Sequence, residues 1–154
     1  MVWSAFSKRG KAAMVFVHGK QNGKDHTETL KTHLLPYIDE KFTKKDGVKP
    51  LFQQDRASIH MAKVAQSWLQ AQDFEIMDWA AQSPDLNPME NAWGILTQKV
   101  YGGDTKQYQS KKALKAAILK AWDEVEQSTL DKLVDSFETR LRECIKVKGK
   151  KTKY

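Results

Sequence analysis

The feature that most constrains this chain is a change of hydrophobic period along it. Short apolar runs, too brief for a helix, give way to longer segments in which apolar side chains return every three or four residues. Val2 to Phe6 and Ala12 to Val17 are the first runs, joined through Ser7-Lys8-Arg9-Gly10, and they read as a hairpin with Gly10 in the turn. Asp25 and Glu28 have capping-box spacing and predict the start of a helix that carries Leu30, Leu34, Tyr37, Ile38 and Phe42. Pro36 inside it predicts a kink or break. Pro50 to Asp55 is a third strand, ending in an acid. Ser58 is the expected cap of a second helix, with Met61, Val64, Ala65, Trp68 and Leu69 on its apolar face, and Phe74 to Trp79 is a fourth strand. After the turn-rich Ser83-Pro-Asp-Leu-Asn-Pro88, Asn87 caps a helix with Pro88 at its first position, stopped by Gly102-Gly103. Two further helices follow, one carrying Leu114, Ala117, Ile118, Ala121, Trp122 and Val125. The other starts after Ser128 and carries Leu130, Leu133, Val134, Phe137, Leu141 and Ile145. This order predicts an α/β layered domain.

Hydrophobic residues make up 40% of the 154, enough for a core. No apolar run approaches the roughly 20 residues of a membrane span. The single cysteine, Cys144, excludes an intramolecular disulfide and fits a reducing compartment. The net charge of +7 is concentrated at the carboxyl end, where Arg140, Arg142, Lys146, Lys148, Lys150, Lys151 and Lys153 face one acid, Glu143. Such an end suits contact with phosphates and, equally, a solvated tail.

Two acids stand where chemistry is plausible. Asp55 closes a strand, so its side chain can project past the sheet edge, where α/β folds carry their sites. Glu90 sits in the first turn of the helix begun at Asn87. Carboxylates from separate elements can hold hard cations such as Mg²⁺ and support phosphoryl transfer. By residue type alone, Asp55 fits a turn residue as well. Glu90 fits a capping-box partner of Asn87 favoured by the helix dipole. His18, His26, His33 and Cys144 lack metal-ligand spacing and read as structural or surface residues. Trp68, Trp79, Trp93 and Trp122 fit core positions.

The local wording is more specific. Phe52-Gln-Gln-Asp-Arg-Ala-Ser-Ile-His60 and Asp78-Trp-Ala-Ala-Gln-Ser-Pro-Asp-Leu-Asn-Pro-Met-Glu-Asn-Ala-Trp-Gly94 closely resemble the catalytic signatures of mariner-superfamily cut-and-paste DNA transposases, in the branch whose Asp-Asp-Glu triad ends in glutamate. In that branch 34 residues separate the second and third acids, as they do between Asp55 and Glu90. Weaker likeness runs from Val2-Trp3 through Leu34-Leu35-Pro36-Tyr37 to Trp93 and beyond. The resemblance implies a ribonuclease H-like mixed sheet flanked by helices. It also implies two divalent ions, Mg²⁺ or Mn²⁺, and metal-dependent hydrolysis and strand transfer during DNA transposition and integration. Asp55 and Glu90 become the second and third ligands, with His60, Asp85 and Asn87 as candidates to support them. The expected partners are transposon-end and target DNA, with a homodimer as the assembly and the nucleus as the location. Arg140, Arg142, Lys146, Lys148, Lys150, Lys151 and Lys153 are the candidate DNA contacts.

There are departures. The family's first acid lies on a strand ahead of the segment resembling Val2-Trp3-Ser4-Ala5-Phe6, but no Asp or Glu precedes Asp25 here. The family's amino-terminal helix-turn-helix region has no counterpart either. Where the family shows Asn after the second acid and Pro two positions further, this chain has Arg56 and Ser58, and Arg56 sets a cation that can pair with Asp55. The expectation is an amino-terminally truncated catalytic domain over 1–147, lacking its central first strand and, without the first acid, inactive by itself, then a basic tail over 148–154. The alternative is a catalytically inactive, transposase-derived fragment that binds nucleic acid or a partner.

Overall fold

The computed structural model describes residues 1–43, 45, 47–102 and 107–154. The sequence predicts one domain over 1–147; the contacts divide the chain into two compact units, Met1–Ser83 and Pro84–Tyr154.

The first unit opens with the predicted hairpin, in two short ladders. Strands β2 (Phe6–Ser7) and β3 (Gly10–Lys11) pair antiparallel around the turn, and β1 (Val2–Trp3) pairs antiparallel with β4 (Val15–Phe16). Between the ladders, Ser4 and Ala5 stand opposite Ala12, Ala13 and Met14, because Phe6 pairs with Lys11 whereas Trp3 pairs with Val15. The extra residue is a β-bulge, which bends the hairpin. It is held by the Ala12 N–H donating to the Ala5 carbonyl at 2.7 Å and by Ser4 Oγ donating to the Ala12 carbonyl at 3.1 Å. Gly10, at φ 138°, occupies backbone space that a side chain rarely enters.

Helix α1 (Gly23–Thr29) begins earlier than expected. The cap is Asn22, not Asp25: Asn22 Oδ1 accepts from the Lys24 and Asp25 N–H groups, and Asp25 Oδ2 accepts from the Asn22 N–H at 3.0 Å. Asp25 is thus the reciprocal partner of a capping box three residues upstream of the predicted one. Pro36 does not break the helix. A π-helical turn, Leu30–Leu34, carries α1 into α2 (Leu35–Lys41), with the Leu35 N–H bonded to the Leu30 carbonyl. The wider turn relieves the clash a proline ring makes one turn back and absorbs its missing N–H.

Strand β5 (Leu51–Phe52), helix α3 (Lys63–Gln70) and strand β6 (Glu75–Ile76) form a parallel strand–helix–strand unit, with Leu51 opposite Glu75 and Phe52 opposite Ile76. Ser58 does not cap α3. Turns occupy the residues after Ala57, and the helix starts behind Ala62 without a side-chain cap. Ala12, Leu30, Leu34, Tyr37, Leu69 and Phe74 form the buried core of this unit. Tyr37 ties helix to hairpin, its hydroxyl 2.7 Å from Ser7 Oγ and donating to the Gly10 carbonyl at 2.8 Å. Among the described residues no ladder joins the hairpin to β5–β6. The predicted mixed sheet is represented among the described residues by separate two-stranded pieces, antiparallel in the hairpin and parallel in β5–β6.

The second unit is a 3₁₀ turn, Pro84–Leu86, followed by α4 (Pro88–Tyr101), α5 (Lys111–Asp123) and α6 (Gln127–Lys146). Asn87 caps α4 with Pro88 at the first position, and Gly102 ends it in the left-handed conformation at φ 61°. Gly103, the second half of the predicted stop, lies outside the described residues. Ser110 caps α5. The last helix follows Glu126, with Ser128 already inside it. Leu86, Ala92, Leu96, Val100, Ala121, Trp122, Val125 and Leu130 are buried, and Trp93 packs 6.2 Å from Trp122. Among the described residues no helix is long and apolar enough to cross a membrane.

Candidate active site

Asp55 lies just past the carboxyl end of β5, exposed, in the segment leading to the turns before α3. That position follows from the chain: the ladder continues only as far as the Met77 N–H bonding to the Phe52 carbonyl, and the backbone then turns away. One carboxylate oxygen is engaged. Oδ1 accepts from the Ala57 N–H at 2.9 Å and from His60 Nδ1 at 2.6 Å. His60 Nδ1 also lies 3.2 Å from the Asp55 carbonyl oxygen. Both partners are acceptors, so Nδ1 carries the proton. Among the described residues Oδ2 accepts no hydrogen bond. Arg56, expected as a competing cation, is exposed and forms no ion pair with Asp55 among the described residues. The structure therefore brings His60 to Asp55, as a donor that orients the carboxylate, and leaves Arg56 outside the contact.

Sequence reasoning missed two members of this cluster. His26, read as structural or surface, is only 4% exposed. Its ring lies 4.3 Å from the His60 ring, and its Nε2 lies 3.1 Å from Gln54 Oε1. Burial, reinforced by the neighbouring His60, lowers the His26 pKa to about 4, against weaker opposing effects of Gln54 and Asp55. Neither residue has a local signal, because the contact joins positions far apart in the chain.

Glu90 stands in the first turn of α4 and is exposed. The capping-box reading of this residue does not hold. A capping glutamate accepts from the N–H of the cap residue, whereas the Asn87 N–H donates to the Pro84 carbonyl at 3.0 Å. The cap is made by Asn87 alone, whose Oδ1 accepts from the Met89 N–H at 3.0 Å. Among the described residues the Glu90 carboxylate has no hydrogen-bond or ion-pair partner.

Asp85 holds the loop before α4. Its Oδ2 accepts from the Thr152 N–H at 2.7 Å, the main cause of its lowered pKa. The basic end is not wholly free. Arg140, grouped by sequence with the DNA contacts, is 2% exposed. Its Nε donates to Ser136 Oγ, Nη1 to the Asp85 carbonyl and Nη2 to Asn91 Oδ1, and its guanidinium lies 4.6 Å from the Tyr154 ring centre. Engaged by these partners and buried, it is withdrawn from the set available to phosphates. Lys148, Lys150, Lys151 and Lys153 remain exposed, while Arg142 pairs with Glu138 and Lys146 with Glu143.

The donor chemistry fits a divalent ion: each acid is an exposed hard-oxygen ligand with at least one oxygen unengaged among the described residues. Among the described residues no group of three His, Cys, Asp or Glu side chains could hold a metal ion by itself.

Residues 1–115 match the family of DDE superfamily endonucleases. The Tc3 transposase of Caenorhabditis elegans is 38% identical over the whole chain, which covers 45% of that protein. The Tc1 transposase of the same organism is 27% identical, again over the whole chain, covering 54% of it. The chain thus spans about half the length of these curated relatives. The catalytic domain of the Mos1 mariner transposase has the same fold, with a TM-score of 0.81 at 18% identity over 97% of this chain and 72% of that one. A Mos1 mariner paired end complex with Mn also superposes, with a TM-score of 0.81 over 99% of this chain and 44% of that one. The ribonuclease H-like expectation is borne out by these likenesses.

Proposed function

The chain belongs to the DDE superfamily of endonucleases, and on that premise we propose that it is the metal-dependent catalytic portion of a cut-and-paste DNA transposase, with Asp55 and Glu90 as carboxylate ligands of Mg²⁺ or Mn²⁺. The observation that carries this reading is the state of the two acids. Glu90 occupies a position where a structural glutamate is tied back to its cap, yet its carboxylate is unengaged among the described residues. Asp55 has one oxygen oriented by His60 and Ala57 and the other unengaged among the described residues.

When bound, divalent ions supply Lewis-acid stabilisation of phosphoryl oxygens and an activated water or hydroxyl, the two-metal chemistry of phosphodiester transfer. In this chain, Asp55 and Glu90 contribute the oxygen ligands. His60 holds Oδ1 of Asp55, while Asn87 and Asp85 fix the start of α4 and so the approach of Glu90. The family's first acid has no counterpart ahead of Asp25 in this sequence, so two of the three ligands are assigned. DNA, as transposon ends and target, is the partner, contacted in part by Lys148, Lys150, Lys151 and Lys153. The Mos1 transposase paired-end complex with left transposon end supports this choice of partner; a homodimer is the proposed assembly. A nuclear location follows from the substrate.

The test is Mn²⁺-dependent cleavage of DNA carrying the transposon ends by the purified chain, beside Asp55→Asn and Glu90→Gln. With two of the three ligands assigned, a folded parent that binds Mn²⁺ through Asp55 and Glu90 without cleaving is the expected result for the chain by itself; cleavage that both substitutions abolish would mean that a third ligand completes the site. A folded parent that neither cleaves nor binds Mn²⁺ overturns the ligand reading and favours the DNA-binding alternative.

A further inference from the structure

We propose that His26 is a positioning residue for the Asp55 carboxylate, acting through the ring of His60; the inference rests on the reading of Asp55 as a metal ligand. His60 fixes Oδ1 of Asp55 only while its own ring keeps one orientation. The side chain of His60 is partly exposed and belongs to a turn, not to a helix or strand, so its rotamer needs an external wall. His26 is that wall: its ring lies 4.3 Å from that of His60, with the planes inclined at 37°. The wall is itself held. His26 Nε2–H donates to Gln54 Oε1 at 3.1 Å, and Gln54 is the residue preceding Asp55. His26 therefore touches both flanks of the ligand, its chain neighbour on one side and its hydrogen-bond donor on the other.

Helix α1 delivers the ring, and the packing of that helix is demanding. A Cβ added at Gly23 would lie 2.3 Å from Ala62 Cβ and 3.1 Å from Val64 Cγ1, so α1 approaches the start of α3 more closely than any side chain at Gly23 permits. Groups that orient metal ligands in this way are commonly worth 10- to 100-fold in metal affinity. A buried histidine that only fills the core would leave metal affinity unchanged when an isosteric ring replaces it or when it is removed.

The experiment is Mn²⁺ binding by the full chain, followed by electron paramagnetic resonance of the free ion, for the parent, Asp55→Asn, His26→Ala and His26→Phe. Far-ultraviolet circular dichroism establishes folding. Asp55→Asn should abolish the tighter binding. His26→Ala should weaken it by about tenfold, and His26→Phe, which restores a ring against His60, should return it to within about threefold of the parent. Parent-like affinity in folded His26→Ala, with Asp55→Asn still deficient, overturns this inference and leaves the ligand reading standing. No binding by the parent, or parent-like binding by Asp55→Asn, removes the ligand reading and the inference with it. Should His26→Ala not fold, His26→Leu, which fills the space without a flat ring, is judged by the same criterion: weakened binding supports the inference and parent-like binding overturns it.

Discussion

Arg140 donates a 2.7 Å hydrogen bond to the main-chain carbonyl of Asp85, across 55 positions of sequence, from a side chain that is almost completely buried. With Asn91 and Ser136 also engaged, this guanidinium holds the loop before α4, the start of α4 and the body of α6. Removing it leaves the Asp85 carbonyl and Asn91 Oδ1 without their donor, and a cavity beside Tyr154. Arg140→Ala should destabilise the second unit by roughly 2–4 kcal/mol. Arg140→Lys should recover little, because one ammonium cannot reproduce the planar fork. Lys150→Ala should change stability by less than about 0.5 kcal/mol. Urea unfolding curves of the three variants check the contrast; equal midpoints for Arg140→Ala and Lys150→Ala would contradict the clasp.

Glu90 and Asn87 make opposite predictions. Asn87→Ala removes a side-chain cap and should cost about 1 kcal/mol. Glu90→Gln touches no described partner and should leave the thermal midpoint within about 1 °C of the parent, a bound that follows from an effect on the order of a few tenths of a kcal/mol. Calorimetry of both variants decides: a glutamate serving the helix rather than a metal would lower the midpoint on substitution.

His26 gives the first unit a pH dependence whose sign is fixed. Its folded pKa, about 4, lies below the ordinary histidine value of 6.5, so the unfolded chain binds the proton first as pH falls. Stability is therefore intact above about pH 6.5 and lost progressively down to about pH 4, by up to about 3 kcal/mol from this group. The charged and titratable neighbours facing it are His60 and Asp55. Denaturant midpoints measured from pH 7.5 to pH 4 should fall for the parent and fall distinctly less for His26→Phe.

Gly23→Ala should be destabilising although alanine is the better helix former. The added methyl overlaps Ala62, and overpacking of this kind costs about 1–3 kcal/mol. The double variant Gly23→Ala with Ala62→Gly should recover most of the loss in a thermal melt; a non-additive recovery is the signature of direct contact.

Replacing Lys148, Lys150, Lys151 and Lys153 by Ala should weaken DNA binding nearly uniformly across sequences. The slope of log affinity against log salt should shrink by about one for each phosphate no longer neutralised. Fluorescence anisotropy at several salt concentrations measures it. An unchanged slope would take the carboxyl end out of the interface.

The parts of the site that are legible in the sequence are those encoded over a few neighbouring residues. Asn87 and Pro88 announce the start of α4 and Gly102 its end because capping depends on bonds within one turn. Asp55 is legible as lying near a strand end, but β5 stops at Phe52, short of the predicted run to Asp55, because the ladder with β6 ends there. The start of α1 is ambiguous by three residues because Asn22-Gly-Lys-Asp25 and Asp25-His-Thr-Glu28 both satisfy the same spacing, and the bonds actually formed by Asn22 select between them. Pro36 is recognisable as a disturbance, but whether it breaks a helix or widens one turn depends on Leu30, Leu34 and Tyr37 being held in the core on both sides of it.

By itself, the sequence determined the alternation of strands and helices, the two acidic motifs with their spacing, and the family to which they belong. Tertiary structure alone decided which charged groups are free. Glu90 could be tied to its cap or left unengaged, Arg140 a surface cation or a buried clasp, and His26 an exposed or a buried ring. In each case the local sequence is compatible with both, because a side chain's availability depends on partners that lie far along the chain and meet it only after folding.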